Sequence, residues 1–396
     1  MNNRLANIFF AFLVFGLLWT GCKEDQVKPT TNCDIPSWDN SSDHLDGPDF
    51  QKVIDEYTAK GLPGISILIR NENGVWAGSS GMADIDEKVE MLPCHVSKIA
   101  SVTKSYIGVL SMMLSEEEVL NLDDPLTKWL DDEYTSNVKN ADQATLRQLL
   151  NHSTGIADVI DDNNFYLAVL NDPSRFWEPE ELLKFVYGDA ASFDVGASTE
   201  YSNTNLLLAV MVIESATGIP HEELLRKKVL DPLNADNTYY HWHDDLPDFV
   251  AQGYFDLYNN GTILNISNYN TGSGNGYGGI YATVYEMQNF IESLLRDKSL
   301  ISQASLDEML DFQPLVEGKD RTLGLGIMKD FLDRPEGEFG IGHRGRDLGY
   351  TADCFYFPNQ DATLVYMINY GTDAKSELRE VFYEFREKIV DELMVN

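Results

Sequence analysis

Ser101-Val102-Thr103-Lys104, at the head of an apolar run over 106–114, decides how this 396-residue chain is read. A serine hydroxyl is a poor nucleophile at neutral pH and needs a base within hydrogen-bond reach. On a helix, residues i and i+3 share a face one turn apart, so this spacing brings the Lys104 amine back over Ser101. Burial near the positive end of that helix disfavours the ammonium and lowers the amine's pKa toward a value suited to taking a proton. The competing reading is an ordinary serine at a helix start. The pattern recurs as Ser136-Asn137-Val138-Lys139, but there it sits in the polar stretch 131–142 and reads as a solvated loop.

Two further motifs stand where serine acyl transfer needs them. Tyr201-Ser202-Asn203 lies a hundred residues past Ser101, just before the apolar run 206–213. A phenol beside a cationic amine can carry a shared proton, and an asparagine amide can hold a substrate carbonyl or the lysine. Tyr258-Asn259-Asn260 fits the same pattern. The third motif is His343-Arg344-Gly345; of the seven histidines only His343 has a glycine two residues on.

In this order and spacing, Ser-x-x-Lys, Tyr-x-Asn and His-x-Gly resemble the serine β-lactamase and penicillin-binding superfamily. The nearest branch is that of class C-like β-lactamases, D-alanyl-D-alanine carboxypeptidases and esterases. Leu149-Leu150-Asn151-His152-Ser153-Thr154-Gly155 and Gly278-Gly279-Ile280-Tyr281-Ala282-Thr283 are similar to family segments. The resemblance spans about 48–392. It implies Ser101 as acylated nucleophile, Lys104 as its base, Tyr201 as proton relay and Asn203 as the residue positioning substrate and Lys104. His343 stands where many members carry a lysine. The backbone N–H groups of Ser101 and Arg346 would form the oxyanion hole, and Gly345 would leave room for substrate along a strand edge. Arg344 and Arg346 depart from the small or hydroxyl residues usual there. They either clamp a substrate carboxylate or pair with Asp347 and nearby acids.

The rest of the chain fits an α+β fold, an antiparallel sheet flanked by helices with an inserted all-helical lobe. Apolar spacing predicts a helix over 49–60, strands over 65–69 and 75–81 joined at Asn73-Gly74, and helices over 145–151, 178–187, 203–216 and 221–230. Strands over 322–328, 339–343, 352–357 and 363–369 and a closing helix over 375–393 follow. The sheet is therefore assembled from sequence-distant halves, with the helical lobe at about 115–260 inside a hydrolase domain of 47–396. The glycine-dense loop 271–279 lacks the ending of a phosphate loop, so nucleotide binding is not expected, and close backbone approach to a cleft is the reading.

At 43% hydrophobic and 23% charged residues the chain can bury a large core. Its formal charge of −35 would repel nucleic acid over most of the surface. Arg4, the short apolar run 8–19 and Thr20-Gly21-Cys22 resemble a bacterial lipoprotein signal over 1–21, with Cys22 lipidated and 22–46 a tether; a plain secretory signal is the alternative. Either places the mature protein outside the cytoplasm, the first on the outer membrane. Cys33, Cys94 and Cys354 then allow one disulfide at most, its pairing open. His241-Trp242-His243-Asp244-Asp245 offers metal-ligand types without a third well-spaced ligand and reads as surface; no metal and no organic cofactor is expected. His152 reads as a loop brace, and Asp161-Asp162 as a solvated face. The expected activity is hydrolysis of an amide or ester through an acyl-enzyme. A D-amino-acid peptide such as peptidoglycan stem peptide leads, with a small ester or a β-lactam next. A non-catalytic peptidoglycan- or protein-binding member is the alternative class.

Overall fold

The computed structural model describes residues 26–395, so the signal segment 1–21 and Cys22 lie outside the described residues. Six helices position the site: α1 (Gly47–Ala59), α2 (Thr103–Glu116), α3 (Asn203–Thr217), α4 (His221–Leu225), α5 (Val284–Leu295) and α6 (Glu377–Val395). Eight strands form one antiparallel sheet: β1 (Gly64–Asn71), β2 (Gly74–Asp84), β3 (Val89–Glu90), β4 (Thr322–Leu323), β5 (Met328–Asp330), β6 (Gly340–Arg346), β7 (Thr351–Phe357) and β8 (Ala362–Ile368). Their order is β3-β2-β1-β8-β7-β6-β5-β4. Ile65 pairs with Ile368, so the sheet joins chain segments about three hundred residues apart, as the strand signals at both ends imply.

Every residue of β1 is buried because both faces of the sheet are covered. Ile65, Ile67 and Ile69 pack with Phe50 and Ile54 of α1 and Phe382, Phe385 and Ile389 of α6. Leu68 belongs to the opposite layer, with Tyr106 and Leu110 of α2 and Phe290 of α5. Tyr106 stacks on Phe290 with ring centroids 3.6 Å apart, which locks the helix behind Ser101 to the sheet's cover.

Some expectations are corrected. The strand expected over 322–328 is split into β4 and β5 by a turn in which Gly324 N–H donates to the Ile327 carbonyl. Gly326 (φ +73°) in that turn presses on α2, where an added Cβ would lie 2.6 Å from the Lys104 carbonyl oxygen. The inserted lobe is helical through residue 230, after which Tyr239–Tyr240 and Tyr254–Phe255 are short strands. Ser136 and Asn137 end a short helix, Asp132–Asn137, although both are exposed as expected of a solvated stretch. Asp162 caps a helix that was not anticipated, Asn163–Asn171. Residues 27–46, expected as a tether, lie on the domain. Val27 and Thr30 are buried, Ser41 Oγ accepts the Ala77 N–H, and Cys33 is disulfide-bonded to Cys94. Cys354 is free and buried. Among the described residues no helix is long and apolar enough to cross a membrane.

Candidate active site

A 3-10 turn, Ala100–Val102, delivers Ser101 to the start of α2. Ala100 holds φ +50°, a strained value for a residue with a Cβ, immediately before the nucleophile. Lys104, one turn on, is fully buried. Its Nζ lies 2.9 Å from Ser101 Oγ, 2.7 Å from Asn203 Oδ1 and 2.6 Å from the Tyr277 carbonyl oxygen. Two of these partners can only accept. A neutral amine therefore spends its two N–H groups on Asn203 and Tyr277, and its lone pair is left facing the Ser101 hydroxyl. Burial brings its pKa down to about 7, against the opposing pull of Asp158 and Asp347. Tyr277 closes the glycine-dense loop, so that loop reaches the cleft through its backbone, as expected.

Asn203, the first residue of α3, is oriented from behind: its Nδ2 donates to Asp158 Oδ2 at 2.9 Å. With nitrogen committed to a carboxylate, its oxygen must face the lysine. Burial raises the Asp158 carboxyl to about 6. Tyr201 sits with its ring centroid 4.9 Å from Lys104 Nζ and its phenol within reach of Ser101. Burial holds that phenol protonated well above its ordinary pKa, so at neutral pH it is a donor. His152 stacks on the Tyr201 ring at 4.5 Å and accepts the Ser202 N–H, bracing the Tyr201 loop as its sequence position suggested. His343 lies on the other side of Tyr201, ring centroids 6.0 Å apart. Its Nδ1 is 2.5 Å from the Arg344 carbonyl, which can only accept, so Nδ1 carries the proton and Nε2 is the acceptor. Burial, with Lys104 nearby, keeps this ring neutral.

Ser101, Lys104, Tyr201, Asn203, His343 and Gly345 thus converge; Arg344 and Arg346 border the same cleft, but their guanidinium groups are held by acids. Along β6 alternate residues face opposite layers. Arg344 pairs through Nε and Nη2 with Asp330 and through Nη2 with Asp320, and Arg346 with Asp353 at 2.7 Å. Arg386 of α6 bridges the two fully buried acids, 2.8 Å from Asp330 and 2.7 Å from Asp353. Neither guanidinium is free to clamp a substrate, and neither pairs with Asp347, which takes the buried Lys98 at 2.8 Å. Gly345 is also explained differently: an added Cβ would lie 2.1 Å from the Ile99 carbonyl oxygen, so it is glycine to let β6 touch the turn carrying Ser101. The second Tyr-x-Asn falls in a turn with Tyr258 exposed.

Sequence reasoning missed Asp158, the Tyr277 carbonyl, the Lys98–Asp347 pair and Arg321. Arg321 lines the cleft with Ser101 and His343, and its charge is felt at Tyr201. The cleft has a volume of about 600 Å³ and also includes Asp161, Asp373 and Arg379.

Residues 50–384 match the family model described as Beta-lactamase. The chain belongs to the beta-lactamase family. Among solved structures this beta-lactamase family chain is similar to a D-stereospecific amidohydrolase from Streptomyces sp., with a TM-score of 0.74 and 26% identity over 86% of this chain and 97% of that one. Penicillin-binding protein 4* of Bacillus subtilis (strain 168) is 23% identical over 76% of this chain and 66% of its own length. Protein flp of Staphylococcus aureus (strain N315) is 29% identical over 52% of this chain. The present chain covers only 40% of that relative's length.

Proposed function

We propose that this beta-lactamase family chain is a serine hydrolase that turns over an amide or ester through an acyl-enzyme on Ser101. One observation carries the reading: a fully buried amine whose Nζ lies 2.9 Å from the Ser101 hydroxyl and within 2.7 Å of two carbonyl oxygens that can only accept, so that its neutral form would turn its lone pair to the serine. Ser101 Oγ attacks the substrate carbonyl as its proton passes to Lys104 Nζ. As the tetrahedral adduct collapses, the Tyr201 phenol protonates the leaving nitrogen or oxygen, and its proton is restored from the Lys104 ammonium. Water then adds to the ester and releases the acid, returning the proton to serine.

The substrate we favour is a D-amino-acid peptide or amide. The likeness to a D-stereospecific amidohydrolase and to a penicillin-binding protein supports it. So does a cleft carrying Arg321, which spends only Nη1 on the part-exposed Asp320 at 3.2 Å and keeps its other N–H groups for a carboxylate, and Asp161 and Asp373 for an ammonium. The Cys33–Cys94 disulfide supports placement in an oxidising compartment outside the cytoplasm, and lipid anchoring through Cys22 remains part of this proposal. Incorporation of an alkyne fatty acid, lost in Cys22→Ala, tests the anchor.

Intact-protein mass spectrometry after exposure to a fluorophosphonate tests the enzyme reading. One adduct is expected on the wild type and none on Ser101→Ala; an unlabelled wild type, or equal labelling of the variant, overturns it. Hydrolysis rates across D-Ala-D-Ala peptides, D-amino-acid amides, nitrocefin and p-nitrophenyl esters then rank the substrates.

A further inference from the structure

His221, Glu222 and His243 bring three potential metal-ligand atoms within 4.8 Å of one another, outside the serine site. The sequence run 241–245 lacks a third ligand, and the fold supplies it from the start of α4. Glu222 Oε2 is 3.4 Å from His221 Nδ1, and Glu222 Oε1 is 3.3 Å from His243 Nδ1. A tetrahedral ion with bonds of ~2.0–2.1 Å separates its ligands by about 3.3 Å, so each oxygen of the Glu222 carboxylate stands about one such edge from a different histidine, and a turn of that side chain would present one oxygen to both.

The outer hydrogen bonds point the same way. His243 Nε2 is 3.0 Å from the Gly274 carbonyl, which can only accept, so the proton of a neutral ring resides on Nε2. Its Nδ1 lone pair then confronts the Glu222 carboxylate, an arrangement of two acceptors that needs a cation or a proton between them. His221 Nε2 is 3.0 Å from the Tyr240 hydroxyl, which accepts the Gly276 N–H and can donate or accept toward the ring, so a metal at Nδ1 would require the His221 proton to sit on Nε2. Histidine ligands to metals are held in this way, the remote nitrogen bound to a carbonyl, carboxylate or other polar group. Glu214 Oε1 is 2.6 Å from His221 Nδ1, a direct hydrogen-bond distance, so it would have to draw back by about 0.7 Å to serve as a fourth ligand. Glu222 and His243 are about one-fifth exposed, which leaves an ion a way in.

We propose that His221 Nδ1, His243 Nδ1 and Glu222 bind one zinc ion, with Glu214 or water completing the tetrahedron. Two imidazoles and a carboxylate suit zinc, whereas calcium and magnesium take oxygen ligands. The ion would fasten α3, α4 and the turn after Tyr240 to the glycine loop. Gly274, held by His243, lies three residues before Tyr277, whose carbonyl fixes Lys104. The role is structural, and the inference stands whether or not Ser101 is a nucleophile.

The test strips the full chain with a chelator and reloads it with one equivalent of zinc or cobalt(II). Bound metal is counted after dialysis, and the visible ligand-field spectrum of the cobalt form is recorded. One equivalent and the intense absorption of tetrahedral cobalt are expected. Glu222→Gln, which keeps the side-chain shape, and His243→Asn should each weaken binding more than about a hundredfold, since loss of an outer-sphere partner alone costs 10–100-fold. Asp245→Asn, in the same sequence run, should bind like the wild type. Circular dichroism confirms that each variant is folded. The proposal is overturned if the wild type retains no metal, if cobalt gives only a weak six-coordinate spectrum, or if folded Glu222→Gln and His243→Asn bind as well as the wild type. The first of these results would mean that a proton, with His243 charged against Glu222, occupies the place of the ion.

Discussion

The proton on Lys104 is the most informative thing to perturb. Burial takes this amine from an ordinary value of 10.5 to about 7, a change on the order of 5 kcal/mol against the ammonium. Only the free base can accept the Ser101 proton. The kcat/KM for a neutral p-nitrophenyl ester should therefore rise roughly tenfold from pH 6 to pH 8 and level off above about pH 8. An amine of ordinary pKa would instead give a rate climbing tenfold per pH unit to about pH 10. Asp158 supplies a second perturbation. Its charge is joined to Lys104 through the Asn203 amide by hydrogen bonds of 2.7 and 2.9 Å. Charges roughly 8 Å apart at an effective dielectric near 20 interact by about 2 kcal/mol. Asp158 favours the ammonium, so Asp158→Asn should move the half-point to lower pH, by about one to one and a half units. The asparagine keeps an oxygen to accept the Asn203 N–H, so the amide need not turn. Single-turnover acylation rates between pH 5.5 and 10 measure both effects. A rate still climbing at pH 9.5, or a half-point that stays or rises in Asp158→Asn, would refute the account of how Ser101 is activated.

Arg344→Ala should destabilise the fold by about 3 kcal/mol in urea melts, because it strips partners from the buried Asp330, while changing KM equally for carboxylated and neutral esters; a selective effect on carboxylated ones would restore the clamp. Arg321→Ala should do the reverse, raising KM about tenfold for carboxylated substrates alone, about the worth of one exposed-to-half-buried ion pair, with stability unchanged. Gly345→Ala should push the Ser101 turn off its mark and lower kcat at least a hundredfold while the protein stays folded; near-normal kcat would show that β6 and Ile99 separate easily. Replacing Cys33 and Cys94 together by alanine should cost about 4 kcal/mol, since the disulfide closes a segment of 61 residues, and an unchanged urea midpoint would count against it.

The sequence alone settled those features that depend on spacing along one element. Ser101 and Lys104 are neighbours because of helical periodicity, the run 65–69 is a strand as its residue types suggest, and β2 returns beside it across the tight turn just before Gly74. It also put Ser101, Tyr201 and His343 in one site, through ordered motifs shared with a family. It could not say which charges neutralise which. In the sequence Arg344 and Arg346 stand between clamping a substrate carboxylate and pairing with nearby acids, and strand alternation decides for the acids, bringing their guanidinium groups onto Asp330 and Asp353 contributed by β5 and β7. Asp158 gave no local signal, since its role comes from a hydrogen bond to Asn203, 45 residues away. The same is true of residues 27–46, polar enough to read as a tether until the disulfide and a few buried side chains fasten them down. Periodicity is a property of neighbours in the chain, whereas electrostatic partnership depends on distance in space, and only tertiary packing sets that distance.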